Sequence, residues 1–86
     1  MKPEHEILTI LMEECAEVIQ QASKSIRFGE SAIEQELGDV VCMIDLLAKS
    51  GKVSWEAIRE GELRKKQKLK KWSNLPQNLL ELGDKK

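Results

Sequence analysis

Glu14 and Glu17 stand three residues apart, as do Glu36 and Asp39, within the words EECAE (13–17) and ELGD (36–39). On helices each of these pairs shares one face. Aiming four carboxylates at one place has no stability rationale, because like charges repel and partial burial raises the cost of ionisation. A divalent cation removes that objection. The chemistry the residues suggest is therefore a Mg²⁺ site. Mg²⁺ is a hard ion that takes a few carboxylates, water and substrate phosphate oxygens in near-octahedral geometry. Such a site offsets the charge of a polyphosphate and acidifies water, which equips it for attack at phosphorus. Glu13 is the natural additional carboxylate, as an outer ligand or as the base that orients water.

The elements that must carry these residues are helical. From Glu4 to about Phe28 the apolar residues Ile7, Leu8, Ile10, Leu11, Cys15, Val18, Ile19, Ala22 and Ile26 fall in one arc at about 100° per residue. Pro3 suits a first turn and Gly29 a C-terminal stop. A second helix is expected from about Ser31, as N-cap, to Lys49, with Gly51 past its end. Its arc is Ile33, Leu37, Val40, Val41, Met43, Ile44, Leu47 and Ala48. Glu14 falls inside the first arc and Glu36 inside the second, while Glu17 and Asp39 take the borders. Acidic i, i+3 pairs are common on solvated helix faces; two pairs with the same placement on neighbouring helices are not.

Ser54 is positioned to cap a third helix to about Trp72, interrupted by Asn74 and Pro76. Its stripe of Trp55, Ile58, Leu63, Leu69 and Trp72 encloses Glu62, Lys65 and Lys66, so Lys65 is expected to point inward, toward substrate phosphates or a carboxylate. Lys68 assists from the rim, and Lys24 and Arg27 at the end of the first helix are further phosphate candidates. The tail 73–86 carries a short apolar cluster, Leu79, Leu80 and Leu82, that either docks as a final turn or stays mobile.

Eighty-six residues, 34% of them charged and summing to a net −1, make one domain and not a general polyanion binder. The run RKKQKLKK (64–71) has no interleaved aromatic and reads as a solvated helix face, not as a nucleic-acid module. Cys15 and Cys42 form no ligand or redox pattern. The charged N-terminus lacks the apolar core of a signal peptide, and the longest apolar run, Val40–Ile44, is too short to span a membrane. The expected compartment is the cytoplasm. Three helices with wide apolar stripes are better completed by a second copy than left as a monomer.

The words EECAEVIQQASKSIRFG, ELGDVVCMIDLLA and KKQKLKKW together resemble the E-x-x-E … E-x-x-D family of MazG-like all-α nucleoside triphosphate pyrophosphohydrolases, in particular its short phage and mobile-element members. The likeness spans about residues 7–72. It implies an all-α bundle of three main helices per chain (core about 4–72), completed as a homodimer or homotetramer. It implies Mg²⁺-dependent hydrolysis of (deoxy)nucleoside triphosphates to monophosphate and pyrophosphate, with Mn²⁺ able to replace Mg²⁺. Matched by position, Glu14, Glu17, Glu36 and Asp39 are the metal ligands, and Lys65 and Lys68 match the basic third-helix residues; Glu13 and Glu14 are the candidate catalytic carboxylates on the reading of the residues themselves. The link between the acidic motifs is short, which leaves the base pocket open. The rival readings are a phosphoribosyl-ATP pyrophosphohydrolase and a non-enzymatic helical oligomerisation module.

Overall fold

Helix α1 runs from Pro3 to Phe28, α2 from Ile33 to Lys49 and α3 from Trp55 to Trp72, followed by a 3-10 turn, Gln77–Leu80. The computed structural model describes residues 1–81, and among these there is no strand. The expected all-α class with three main helices holds. The chain divides into two compact units, the first ending at Val53 and the second beginning at Ser54.

In the first unit, α1 opens with Pro3 and the acidic Glu4 and Glu6 and closes with Arg27, so its end charges complement the helix dipole. Gly29 terminates it at φ 86°, a left-handed conformation that glycine adopts without penalty, and its N–H donates to the Ser25 carbonyl at 2.9 Å. The link that follows does not cap α2 in the expected way. Ser31 is not the cap; α2 begins at Ile33 behind Ala32, which makes no side-chain cap bond. The Ser31 hydroxyl is hydrogen-bonded to that of Ser25 instead, and the Ala32 N–H donates to Gln21 Oε1 at 3.0 Å. The link therefore folds back along the last turns of α1, and α2 packs antiparallel on it, with Gln21 opposite Ala32 and Glu14 opposite the Glu36–Asp39 turn.

The side of α1 that meets α2 uses Ile7, Leu8, Ile10, Leu11, Val18 and Ala22, all half-buried. Met43 and Leu47 of α2 are the buried centre. Within the first unit the rest of the two apolar arcs is uncovered: Met12, Ile19, Ile26, Leu37 and Val41 are exposed, Ile26 at 86%. A stripe wide enough for two neighbours meets one within the first unit.

In the second unit, the Ser54 hydroxyl caps α3 as expected, accepting from the Ala57 N–H at 3.1 Å. Ser73 ends the helix, its N–H and hydroxyl both donating to the Leu69 carbonyl. The chain then returns through Pro76, and the 3-10 turn packs on α3 with Leu80 buried. The docking alternative for the tail thus holds through Leu80; Leu82 lies outside the described residues. Lys65 is exposed, contrary to its expected inward direction. The half-buried cation is its neighbour Lys66, which bonds the Glu81 carbonyl at 3.4 Å and pairs with Glu62 at 3.4 Å. The chain just past the 3-10 turn, at Glu81, meets Lys66, while Lys65 stays in solvent.

Candidate metal centre

The antiparallel register of α1 and α2 brings Glu14, Glu36 and Asp39 together: one carboxylate oxygen from each lies within 4.8 Å of the others. Glu14 stands between Leu11 and Val18 along the half-buried side of α1, and Glu36 between Ile33 and Val40 on α2. Each is half-buried because its helical neighbours three and four residues away pack on the opposing helix. Asp39, on the border of its stripe, is exposed.

The electrostatics of the cluster follow from this placement. The Glu14 carboxyl is held above the ordinary carboxylate range, first by partial burial, then by the charges of Asp39, Glu36 and Glu17, and by a hydrogen bond shared with Asp39. Glu36 is raised by the same sequence of causes, burial first, then Asp39 and Glu17, with its own hydrogen bond to Asp39. Carboxyls crowded in this way resist ionising together. A dication satisfies the same oxygens without protons, so the donor set fits a hard divalent metal with oxygen ligands.

The other expected site residues fall at graded distances. Glu17 lies outside the 4.8 Å set, although its charge is felt by both Glu14 and Glu36. Glu13 is exposed beside Glu14. Lys24 and Arg27 are exposed and lie ten and thirteen residues farther along α1 than Glu14, roughly 15 and 20 Å by helical rise. The structure does not bring them to the cluster; the Arg27 guanidinium rests on the Phe28 ring, 5.1 Å from its centroid. Lys65 and Lys68 belong to the second unit, and both are exposed. The residue that sequence reasoning missed is Gln21. Its amide oxygen anchors the start of α2 and so fixes which carboxylates face one another. No periodicity marks such a contact, since a glutamine mid-helix is ordinary.

A family model described as the MazG nucleotide pyrophosphohydrolase domain matches residues 2–73. The chain belongs to the MazG family. That membership agrees with the resemblance carried by the acidic words and covers α1, α2 and α3 in full. No curated protein and no solved structure matches this MazG domain. MazG proteins are generally metal-dependent, and this one carries an acidic cluster with the composition such an ion requires.

Proposed function

We propose that this protein is a Mg²⁺-dependent nucleotide pyrophosphohydrolase that converts (deoxy)nucleoside triphosphates to the monophosphate and pyrophosphate. The observation that carries the reading is the convergence of Glu14, Glu36 and Asp39 from two helices onto one point. Two half-buried carboxylates crowded against an exposed third are costly to keep ionised unless a cation joins them, and oxygen-only donors select a hard one. When bound, the ion supplies positive charge against the triphosphate and acidifies water.

The chain's own residues do the rest. Glu14, Glu36 and Asp39 hold the ion, with Glu17 completing the negative field as a fourth ligand or an outer one. Glu13, exposed next to Glu14, accepts the proton of the attacking water at its carboxylate and orients that water toward the α-phosphorus; pyrophosphate then leaves. On the family likeness, Lys65 and Lys68, both exposed, are the cations suited to the phosphate oxygens. The protein works as a homodimer or homotetramer: Met12, Ile19, Ile26, Leu37 and Val41 form an uncovered apolar face on the first unit, and burying such side chains contributes about 1.5–3 kcal/mol each. Its compartment is the cytoplasm, in keeping with two unpaired thiols, Cys15 and Cys42. No helix among the described residues is long and apolar enough to cross a membrane.

The test is a panel of ribo- and deoxynucleoside triphosphates plus phosphoribosyl-ATP, assayed for pyrophosphate release with Mg²⁺, with Mn²⁺ and with chelator. Release from one or more triphosphates that chelator abolishes is the expected result. Release from phosphoribosyl-ATP alone assigns the rival substrate. Absence of release from every member, with no thermal stabilisation by either metal, leaves an oligomerisation module.

A further inference from the structure

Six of the eight residues from Arg64 to Lys71 are basic, and no Asp or Glu occurs between Leu63 and Leu80. The first half of α3 behaves differently, with Glu56, Glu60 and Glu62 interspersed around Arg59. A merely solvated face alternates its charges in that manner. The second half instead stacks like charges at four-residue steps (Arg64 with Lys68, Lys66 with Lys70), an arrangement that destabilises an isolated helix. The helix dipole compensates cations only in the last turn, which accounts for Lys70 and Lys71 and not for Arg64, Lys65 or Lys68. Of the six cations, Lys66 alone is ion-paired among the described residues.

The linear run contains no aromatic, but on the helix Trp72 follows Arg64 and Lys68 at successive four-residue steps. Arg64, Gln67, Lys68, Lys71 and Trp72 line one open groove on the surface of α3. Trp72 is 80% exposed at its end, against 39% for Trp55. Cations spaced along one helix face beside a bare indole combine two recognitions, of phosphates by charge and of a flat unpaired ring by stacking. A duplex offers the phosphates but keeps its rings stacked internally.

We infer that the groove of Arg64, Lys68, Lys71 and Trp72 on α3 binds single-stranded nucleic acid, with a base stacked on Trp72 and the flanking phosphates held by the three cations. The surface shares Lys68 with the phosphate contacts proposed above, whereas Arg64, Lys71 and Trp72 have no part in that hydrolysis. Gln67 sits between the cations with donor and acceptor groups for a base edge or sugar.

Binding of a labelled mixed-sequence oligonucleotide of about 12 nucleotides, as DNA and as RNA, to the full chain is measured by fluorescence anisotropy between about 50 and 200 mM salt. Three phosphate contacts give a slope of log Kobs against log salt near −2, taking about −0.7 per contact for single strands. Arg64→Gln with Lys71→Gln brings that slope close to −0.7. Trp72→Leu keeps the slope and weakens binding roughly tenfold, the lower part of the range for loss of one stacked base. In Trp55→Phe, where Trp72 is the sole indole, the oligonucleotide quenches the remaining emission; circular dichroism checks that each variant keeps its helix content. The proposal is overturned if no saturable binding occurs at 50 mM salt. It is equally overturned if duplex or base-free polyphosphate binds as tightly as the single strand, if anionic vesicles bind where oligonucleotides do not, or if the Trp72 emission is indifferent to ligand.

Discussion

Asp39→Asn separates the metal-centre reading from every structural alternative, because Asp39 is the pivot of the cluster. Its charge is the leading charge contribution to the raised pKa of both Glu14 and Glu36, and its carboxyl shares a hydrogen bond with each. The substitution is nearly isosteric and sits on an exposed position of α2, so packing is left as it was. What changes is the donor set, from three anionic oxygens within 4.8 Å to two. Loss of an outer partner of a metal site costs roughly 10–100-fold in affinity or activity, so loss of a direct ligand is expected to weaken Mg²⁺ binding by at least about 100-fold and to reduce turnover at least as much. The metal-free protein moves the other way. With one of the mutually repelling carboxylates neutral, its melting temperature at pH 7 equals or exceeds that of the unsubstituted chain. Two measurements on one sample decide the matter: pyrophosphate release at saturating Mg²⁺, and thermal melts with and without the ion. A variant that turns over within threefold of the unsubstituted rate, and is still stabilised by Mg²⁺, would refute the assignment of these carboxylates to a metal.

Four further outcomes are expected. Glu14 and Glu36 have folded pKa values above their model value of 4.5, so in metal-free protein the folded state holds the extra protons. Stability is then fully present below about pH 4.5 as far as these two groups decide it, and is lost as pH rises through the raised values; denaturant midpoints against pH follow this fall, and Mg²⁺ removes it because the ion replaces the protons. Leu47→Ala, at a side chain only 5% exposed, costs about 2–4 kcal/mol in urea unfolding, whereas Ile26→Ala, at 86% exposure, is close to neutral in a monomeric sample. Ile19→Glu places a charge on the uncovered face and shifts the mass seen in sedimentation toward the single chain, with helix content retained. Gln21→Ala removes the acceptor for the Ala32 N–H, costs about 1 kcal/mol, and lowers Mg²⁺ affinity although it touches no ligand.

Much of this arrangement was legible in the chain. Gly29 and Ser54 mark ends of elements by chemistry that is local: a left-handed turn without a Cβ, and a hydroxyl placed to accept from the third N–H after it. Glu14 and Glu36 could be located because a carboxylate inside an apolar arc is anomalous wherever the arc packs. The misses share one cause, which is that helical rotation assigns a direction but not a neighbour. Ile19 and Leu11 belong to the same arc, yet only Leu11 finds cover from α2. Lys65 and Lys66 both fall within the stripe of α3, and the chain past the 3-10 turn meets only the second, through the Glu81 carbonyl. Ser31 has the right chemistry for a cap, but the Ser25 hydroxyl and the Gln21 amide compete for the same link and settle it differently. Glu17 sits one step too far around α1 to join the three oxygens that converge.

The Gln21–Ala32 bond also divides the hairpin into a portion that is free to vary and a portion that is not. Seven residues separate Gln21 from Glu14 on one arm, and four to seven separate Ala32 from Glu36 and Asp39 on the other, about 10 Å or less along each by helical rise. Residues inserted between Gly29 and Ser31 would bulge outward ahead of that clasp and leave the acidic oxygens facing one another. A single residue inserted between Ala32 and Glu36 would swing both α2 carboxylates about 100° around the helix axis and empty the site. Length tolerance in this fold is thus set by which side of one glutamine contact an insertion falls.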